Sequence, residues 1–370
     1  MTDVRPGRRF PVLMALSLVV SACGVQAAGS QPVASVSTSP ATTPSPTPTP
    51  PPTPTPAPTM PPIPVVESVT PEAAFAIDSP PGYLLEADGA VWAGDASYVT
   101  RIDPASGEIQ QFEIRDADGI ARSGGMFAVG FGSIWVGDWD FGKLYRFDAA
   151  SGELQATLEM SSPTSVVVTD DAVWVTNHHD GTLTRVDPAT NKVAATVAVT
   201  SAGESGPHQL LVDGDSLWVG IPRDYTVAQV DATTNALAAT IPVDRPGEPC
   251  GALAMAADRL YVTGCWTAPV LAQLDPAAAR TVGLLETPGF VNFPTAIGDR
   301  LWATMEDGSG TSAGSIVRIN PDGPAIEDPI RVTGGYPNAL LEAFGSVWLS
   351  VAEPEIGSSV VLRLPLAAFD

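Results

Sequence analysis

The amino-acid sequence predicts an all-β protein built as a closed ring of seven sheets. Three observations predict it. Of 370 residues, 37 are proline and 34 glycine, and helix interiors tolerate neither well. No segment keeps a 3.6-residue apolar period. An apolar–aromatic pair recurs seven times, 39 to 46 residues apart, the length of a four-stranded unit. Seven such units closing on themselves make a seven-bladed β-propeller.

In chain order, residues 1–22 read as an export signal. Arg5, Arg8 and Arg9 form a basic segment, followed by an apolar run from Phe10 to Val20 that is too short to cross a bilayer as a helix. Val20-Ser21-Ala22-Cys23 resembles the lipobox of bacterial lipoproteins, which implies cleavage before Cys23 and its lipidation. Two acyl chains anchor stably where one does not. The expected address is the outer face of the cytoplasmic membrane, reached by export and held by lipid. An ordinary signal peptide cleaved near Ala28 is the alternative.

Residues 23–66 are expected to hold the lipidated cysteine and a disordered Pro/Thr-rich stalk. The Thr-Pro alternation from Pro44 to Pro58 offers nothing to bury, and polyproline rises about 3 Å per residue. A spacer suits an acidic body beside an anionic membrane. The chain carries 41 acidic and 18 basic residues, a net charge of −23; losing Arg5, Arg8, Arg9 and Asp3 with the signal makes it −25. That balance excludes non-specific nucleic-acid binding, which needs positive charge.

Residues 67–370 are assigned to the propeller. The recurring pairs are Val91-Trp92, Ile134-Trp135, Val173-Trp174, Leu217-Trp218, Leu260-Tyr261, Leu301-Trp302 and Val347-Trp348. Each follows a short turn, as in Asp88-Gly89, Phe131-Gly132 and Phe344-Gly345, whose residues suit a tight hairpin. About ten residues after the anchor comes a second motif: Arg101-Ile102-Asp103, Arg146-Phe147-Asp148, Arg185-Val186-Asp187, Gln229-Val230-Asp231, Gln273-Leu274-Asp275 and Arg318-Ile319-Asn320. A Gly or Asn follows at Gly107, Gly152, Asn191 and Asn235. This reads as third strand, turn and fourth strand, with the Asp or Asn capping the turn. The seventh unit ends one strand short, and residues 73–78 form a strand with no unit of its own. Their pairing would close the ring and remove an open sheet edge.

The signatures within residues 173–193 resemble the YVTN-type β-propeller repeat family, and are similar to the broader group that includes streptogramin lyases. The resemblance covers residues 73–370. It implies the fold, and for the lyase group an essential histidine with carboxylates holding a divalent cation. No blade pairs a Glu with a His two residues on, which departs from that group. The fold by itself hosts binding, scaffolding and many chemistries.

In a propeller, the loops joining second to third strands share one face with those leading into first strands, and sites gather there. That face is expected to present Asp138, Trp139 and Asp140 from blade two, His178 and His179 from blade three, and His208, Arg223 and Tyr225 from blade four. Trp266 of blade five and Glu306 and Asp307 of blade six complete the set. All three histidines of the chain fall on this face. Its carboxylates suit a cation and its tryptophans suit a ring or sugar. His178 and His179 are adjacent rather than spaced to share one metal, so a divalent cation is an option rather than a requirement. His208 and His179 are the candidate acid/base residues for an enzyme of lyase or hydrolase type. The absence of a G-x-S-x-G elbow favours a binding or scaffold module for a protein, glycan or small ligand, expected to be monomeric.

Cys250 and Cys265 flank the first two strands of blade five at the same end of an antiparallel pair, and export favours a disulfide between them. Its short loop would contribute roughly 3 kcal/mol.

Overall fold

A computed structural model of the chain describes residues 64–78, 82–94, 98–119, 126–201, 206–245, 247, 249, 251–264, 269–306, 313–320, 325–352 and 359–369. The export signal, Cys23 and residues 24–63 lie outside them, as do Cys250, Cys265, Trp266 and Asp307.

The described chain is seven antiparallel sheets, spanning residues 83–113, 127–159, 163–198, 210–242, 253–286, 291–333 and 336–365. The first strand of every sheet contacts the first strand of the next, and that of the seventh contacts that of the first. The first strands therefore line the axis of a closed ring. In blades one to six the four strands follow in chain order. The seventh takes three strands from the C-terminal end, Tyr336–Ala343, Ser346–Ala352 and Ser359–Pro365, and its outermost strand is Ala73–Ile77. These five residues pair antiparallel with Ser359 to Arg363, Phe75 opposite Val361. Glu72, just before this strand, contacts Arg363 at 3.0 Å.

The stalk boundary shifts. Val65 and Val66, expected in the stalk, pair with Thr333 and Val332 as a fifth strand on blade six. Val66 is buried and Val65 exposed. The apolar pair covers an edge, an option a two-residue run does not advertise in sequence.

Each anchor aromatic sits mid-way along a second strand with 0 to 3% of its surface exposed. A strand inside a propeller is buried on both faces, so alternate side chains enter different interfaces. The anchor packs against the following blade, its apolar neighbours against the preceding one. Trp135 thus meets Val166 and Val173 of blade three, while Ile134 and Val136 meet Trp92 of blade one. The core is divided among the seven blade interfaces rather than held at the centre.

Opposite every anchor stands the polar residue of the second motif: Arg101, Arg146, Arg185, Gln229, Gln273 and Arg318. Blade seven holds a seventh copy, Arg363 opposite Trp348, within a stretch that lacks the Asp or Asn two residues on. Two of these arginines also tie blades together. Arg146 lies 4.8 Å from the Trp135 ring centre and donates to Asn191 Oδ1 of blade three at 2.7 Å. Arg363 donates to the Pro104 carbonyl of blade one at 3.0 Å.

The turn caps form through side-chain acceptors. Asp103, Asp148 and Asp231 each accept two backbone N–H bonds from the residues two and three further on, at 2.8 to 3.0 Å. Asp187 accepts from the Ala189 N–H and the Thr190 hydroxyl. These bonds favour the ionised form and hold all four carboxyls below the usual 3.8. Their stabilising effect is complete above that value and fades as pH falls through the lower folded values. The turns end in left-handed residues, Gly107, Gly152, Asn191 and Asn235, with φ between +55° and +75°.

The indole N–H groups divide into two kinds. That of Trp92 donates to the Ala87 carbonyl at 3.1 Å, whereas that of Trp174 is buried without an acceptor. Removing the indole nitrogen should therefore cost about 1 kcal/mol more at position 92 than at 174. Chemical unfolding of Trp92→Phe and Trp174→Phe measures the difference; equal costs would remove the distinction.

In six blades the residue two positions after the anchor tracks the shape of the inner strand; blade five, with Thr263 at that position, pairs without a break. Blades one, two and four carry Gly94, Gly137 and Gly220 there, and their inner strands pair without a break. Blades three, six and seven carry Thr176, Thr304 and Ser350, and their inner strands bulge at Pro163/Val166, Asn292/Thr295 and Pro337/Leu340. The hydroxyl bonds the backbone that the bulge frees: Thr176 Oγ1 accepts from Ser165 N at 2.8 Å, and Ser350 Oγ from Ala339 N at 2.9 Å. The bulges re-aim the start of the inner strand at the channel mouth, which shapes the site.

Candidate functional site

The loop face gathers the three histidines. His178 follows the strand Val173–Asn177 of blade three, and its backbone N–H donates to the Ser162 carbonyl at 3.2 Å. His208 precedes the strand Leu210–Asp213 of blade four, with its N–H on the Gly220 carbonyl at 2.9 Å. Two hydroxyls of blade three reach the His208 carbonyl, Thr164 Oγ1 at 2.9 Å and Thr176 Oγ1 at 3.4 Å. The lead-in to His208 lies so close to blade three that a Cβ on Gly206 would sit 1.6 Å from the His178 carbonyl oxygen. Glycine is the only residue that admits this approach.

The result is an aromatic cluster drawn from three blades. The Trp139 ring centre lies 4.6 Å from His178 and 5.9 Å from His179, and His178 lies 6.4 Å from His208. Trp139 and His178 are half-buried and His179 is exposed. Burial chiefly lowers the His178 pKa below its usual 6.5; a hydrogen bond with the Pro207 backbone opposes this, and His179 and Arg223 add to it. Ser162, which the sequence does not single out, has its Oγ 3.0 Å from His179 Nδ1 and a left-handed φ of +53°.

Beside this cluster the channel mouth opens into a cavity of about 270 Å³. Tyr83, His208, Asn292, Phe293, Glu306 and Asn338 line it, contributed by blades one, four, six and seven. Its wall at blade five is tightly packed: a Cβ on Gly251 would meet Thr263 Oγ1 at 1.9 Å. His208 belongs to both the cluster and the cavity.

The other expected site residues separate. Asp138 was expected on the loop; it is the last residue of the strand Ser133–Asp138, is 1% exposed and accepts from the Phe141 N–H at 3.2 Å. It shapes the turn that carries Trp139 rather than meeting solvent. Asp140 is exposed. Arg223 is exposed beside His178, and Tyr225 is half-buried with the Arg245 guanidinium 4.0 Å above its ring. Glu306 lines the cavity, away from Trp139. Among the described residues no three His, Cys, Asp or Glu side chains are placed to hold a metal ion.

Asn292, Phe293 and Asn338 are cavity residues that the sequence reading leaves out. They start inner strands, where no motif marks them; the hydroxyls of Thr304 and Ser350 accompany the bulges there, whereas Thr263 of blade five carries a hydroxyl without a bulge.

No family model matches the chain, and no curated protein matches it by sequence, so the YVTN-type resemblance has no counterpart there. Solved structures match across the described ring. BamB from Moraxella catarrhalis is 16% identical, with 80% of this chain and 99% of that one covered and a TM-score of 0.54. The U3-55K structure is 12% identical, with 80% and 100% covered and a TM-score of 0.62. Hydrazine synthase of Kuenenia stuttgartiensis is 12% identical, with 78% and 96% covered and a TM-score of 0.59. Likeness at these identities is likeness of fold, and the chain is an all-β, seven-bladed propeller.

Proposed function

We propose that this chain is an exported, lipid-anchored binding module that engages its partner through the loop face around the channel mouth. The observation that carries the reading is the convergence of Trp139, His178, His179 and His208, from three blades, beside a cavity. Large rings with polar tips, half-exposed on a rigid scaffold, suit recognition of a protein, glycan or small ligand. The same fold occurs in a structure of the Mitotic Checkpoint Complex and in hydrazine synthase, so the site rather than the fold supports this choice.

Photo-crosslinking tests it. A crosslinking residue at position 139 should give a discrete adduct in cells, and one at Phe344, in a hairpin on the opposite face, should not. Adducts from 344 alone would place the working surface on the wrong end. The anchor is tested separately: Cys23→Ser should move the protein from the membrane to the soluble fraction, and retention would sink the lipid reading.

A catalytic reading is favoured by one contact, Ser162 Oγ to His179 Nδ1. Among the described residues, however, no carboxylate hydrogen-bonds His179, and Ser162 is buried at 8% exposure. A nucleophile needs a base that is itself oriented, and access to its substrate. Binding accounts for the face with fewer demands.

A further inference from the structure

The cavity carries a carboxylate, Glu306, that no cationic side chain among the described residues pairs with. Glu306 ends the strand Arg300–Glu306, and its N–H donates to the Phe290 carbonyl at 3.1 Å, which seats it at the rim. Among the described residues the carboxylate receives one hydrogen bond, from Asn292 Nδ2 to Oε1 at 3.3 Å. Among the described residues no Lys or Arg forms an ion pair with it. It is half-buried, and a carboxylate drawn out of water is costly without a partner.

The same cavity has aromatic lining. Phe290, Phe293 and Tyr83 all line the cavity. Phe293 sits in the blade-six bulge at φ +38°, a backbone conformation that phenylalanine rarely adopts. Its ring meets Tyr83 of blade one edge-on, with centroids 5.1 Å apart and planes at 84°. Strain of this kind persists where surrounding structure enforces it, and Thr304 Oγ1 supports the bulge by donating to the Asn292 carbonyl at 3.2 Å. The enforced result is an aromatic pair lining the same cavity as the Glu306 carboxylate.

Ring faces are electron-rich and attract cations, most strongly out of bulk water. Glu306 supplies the formal charge. Asn292, Asn338 and Gln209 add amide groups that hydrogen-bond a polar head. The volume of about 270 Å³ suits a small molecule rather than a peptide or a lipid chain. A protein of net charge −23 also concentrates cations around itself. A neutral sugar would use the same amides and leave the carboxylate uncompensated.

We propose that the channel-mouth cavity binds a small organic cation, an amine with a compact apolar or aromatic body. Its ammonium group lies on Glu306 and its body lies among Phe290, Phe293 and Tyr83. The proposal rests on the binding-module reading and names its ligand class.

An isosteric series on the full chain tests it by calorimetry: 2-phenylethylamine, 2-phenylethanol and 3-phenylpropanoate. The amine should bind at least tenfold more tightly than the alcohol, and the acid should not bind. Glu306→Gln should weaken the amine about tenfold and leave the alcohol unchanged, with the wild-type series standing alone if that variant unfolds. Equal affinity for amine and alcohol, or no binding of the amine, overturns the proposal. So does binding of glucose or N-acetylglucosamine that is indifferent to Glu306→Gln. If the amine fails while crosslinking from position 139 persists, the ligand class is wrong and the binding module stands. If both fail, the module reading falls as well.

Discussion

Trp348→Ala should destabilise the protein by about 3–5 kcal/mol, the usual cost of deleting a buried tryptophan. Trp348 is 0% exposed, and its ring stacks on Phe75 with centroids 5.5 Å apart. Its indole N–H donates to the Ala343 carbonyl at 3.1 Å, and the Arg363 guanidinium stands 5.8 Å from its centre. Both sides of the void would be strand backbone held in register by Leu341 and Arg363, so the site collapses poorly. The residue also joins the two ends of the chain, because Phe75 belongs to the N-terminal strand and Val361 to the C-terminal one. Urea unfolding of the variant measures the loss, and a cost under about 1 kcal/mol would show that this interface is not closely packed. Trp348→Phe, which keeps most of the ring, should cost clearly less.

The second large effect concerns closure. A chain starting at residue 64 should be monomeric and fold cooperatively; a chain starting at residue 79 should aggregate. The shorter chain loses Ala73–Ile77 and exposes the whole edge of Ser359–Pro365. It also strips Phe75 and Ile77 from the interface between blades seven and one, and removes Glu72 from Arg363. An open, apolar sheet edge pairs with other chains. Light scattering after size-exclusion chromatography distinguishes the two. A stable monomer from residue 79 would mean the ring holds without its closing strand. A peptide of residues 64–78 added during refolding should restore the monomer, since it refills the edges of both blade seven and blade six.

Several features were legible in the sequence because each rests on local chemistry. The anchors follow from strand alternation, with Trp92 and its six counterparts all buried where the repeat puts them. The turns follow from side chains that bond their own backbone, as Asp148 does, and from residues that accept a left-handed φ, as Asn191 does. The histidines could be assigned to one face because strands alternate in direction, so every second-to-third loop emerges at the same end.

Other features were not legible, and they share a cause. Arg363 plays the part of the second motif without its Asp or Asn, and only its register opposite Trp348 identifies it. Val65 and Val66 look like stalk until blade six offers an edge. Asp138 reads as a surface carboxylate, yet the strand carries it one residue further into the blade.

The repeat alone was enough for the ring, its seven units and the face that carries the histidines, since spacing and alternation are properties of neighbouring residues. The meeting of His178 with His208 required Gly206 to let one blade's lead-in press against another's loop. The cavity required Tyr83 to meet Phe293 and Glu306, more than two hundred residues further along the chain. Such distances are closed only when the ring is, because each blade sets the angle of the next and the first must meet the seventh.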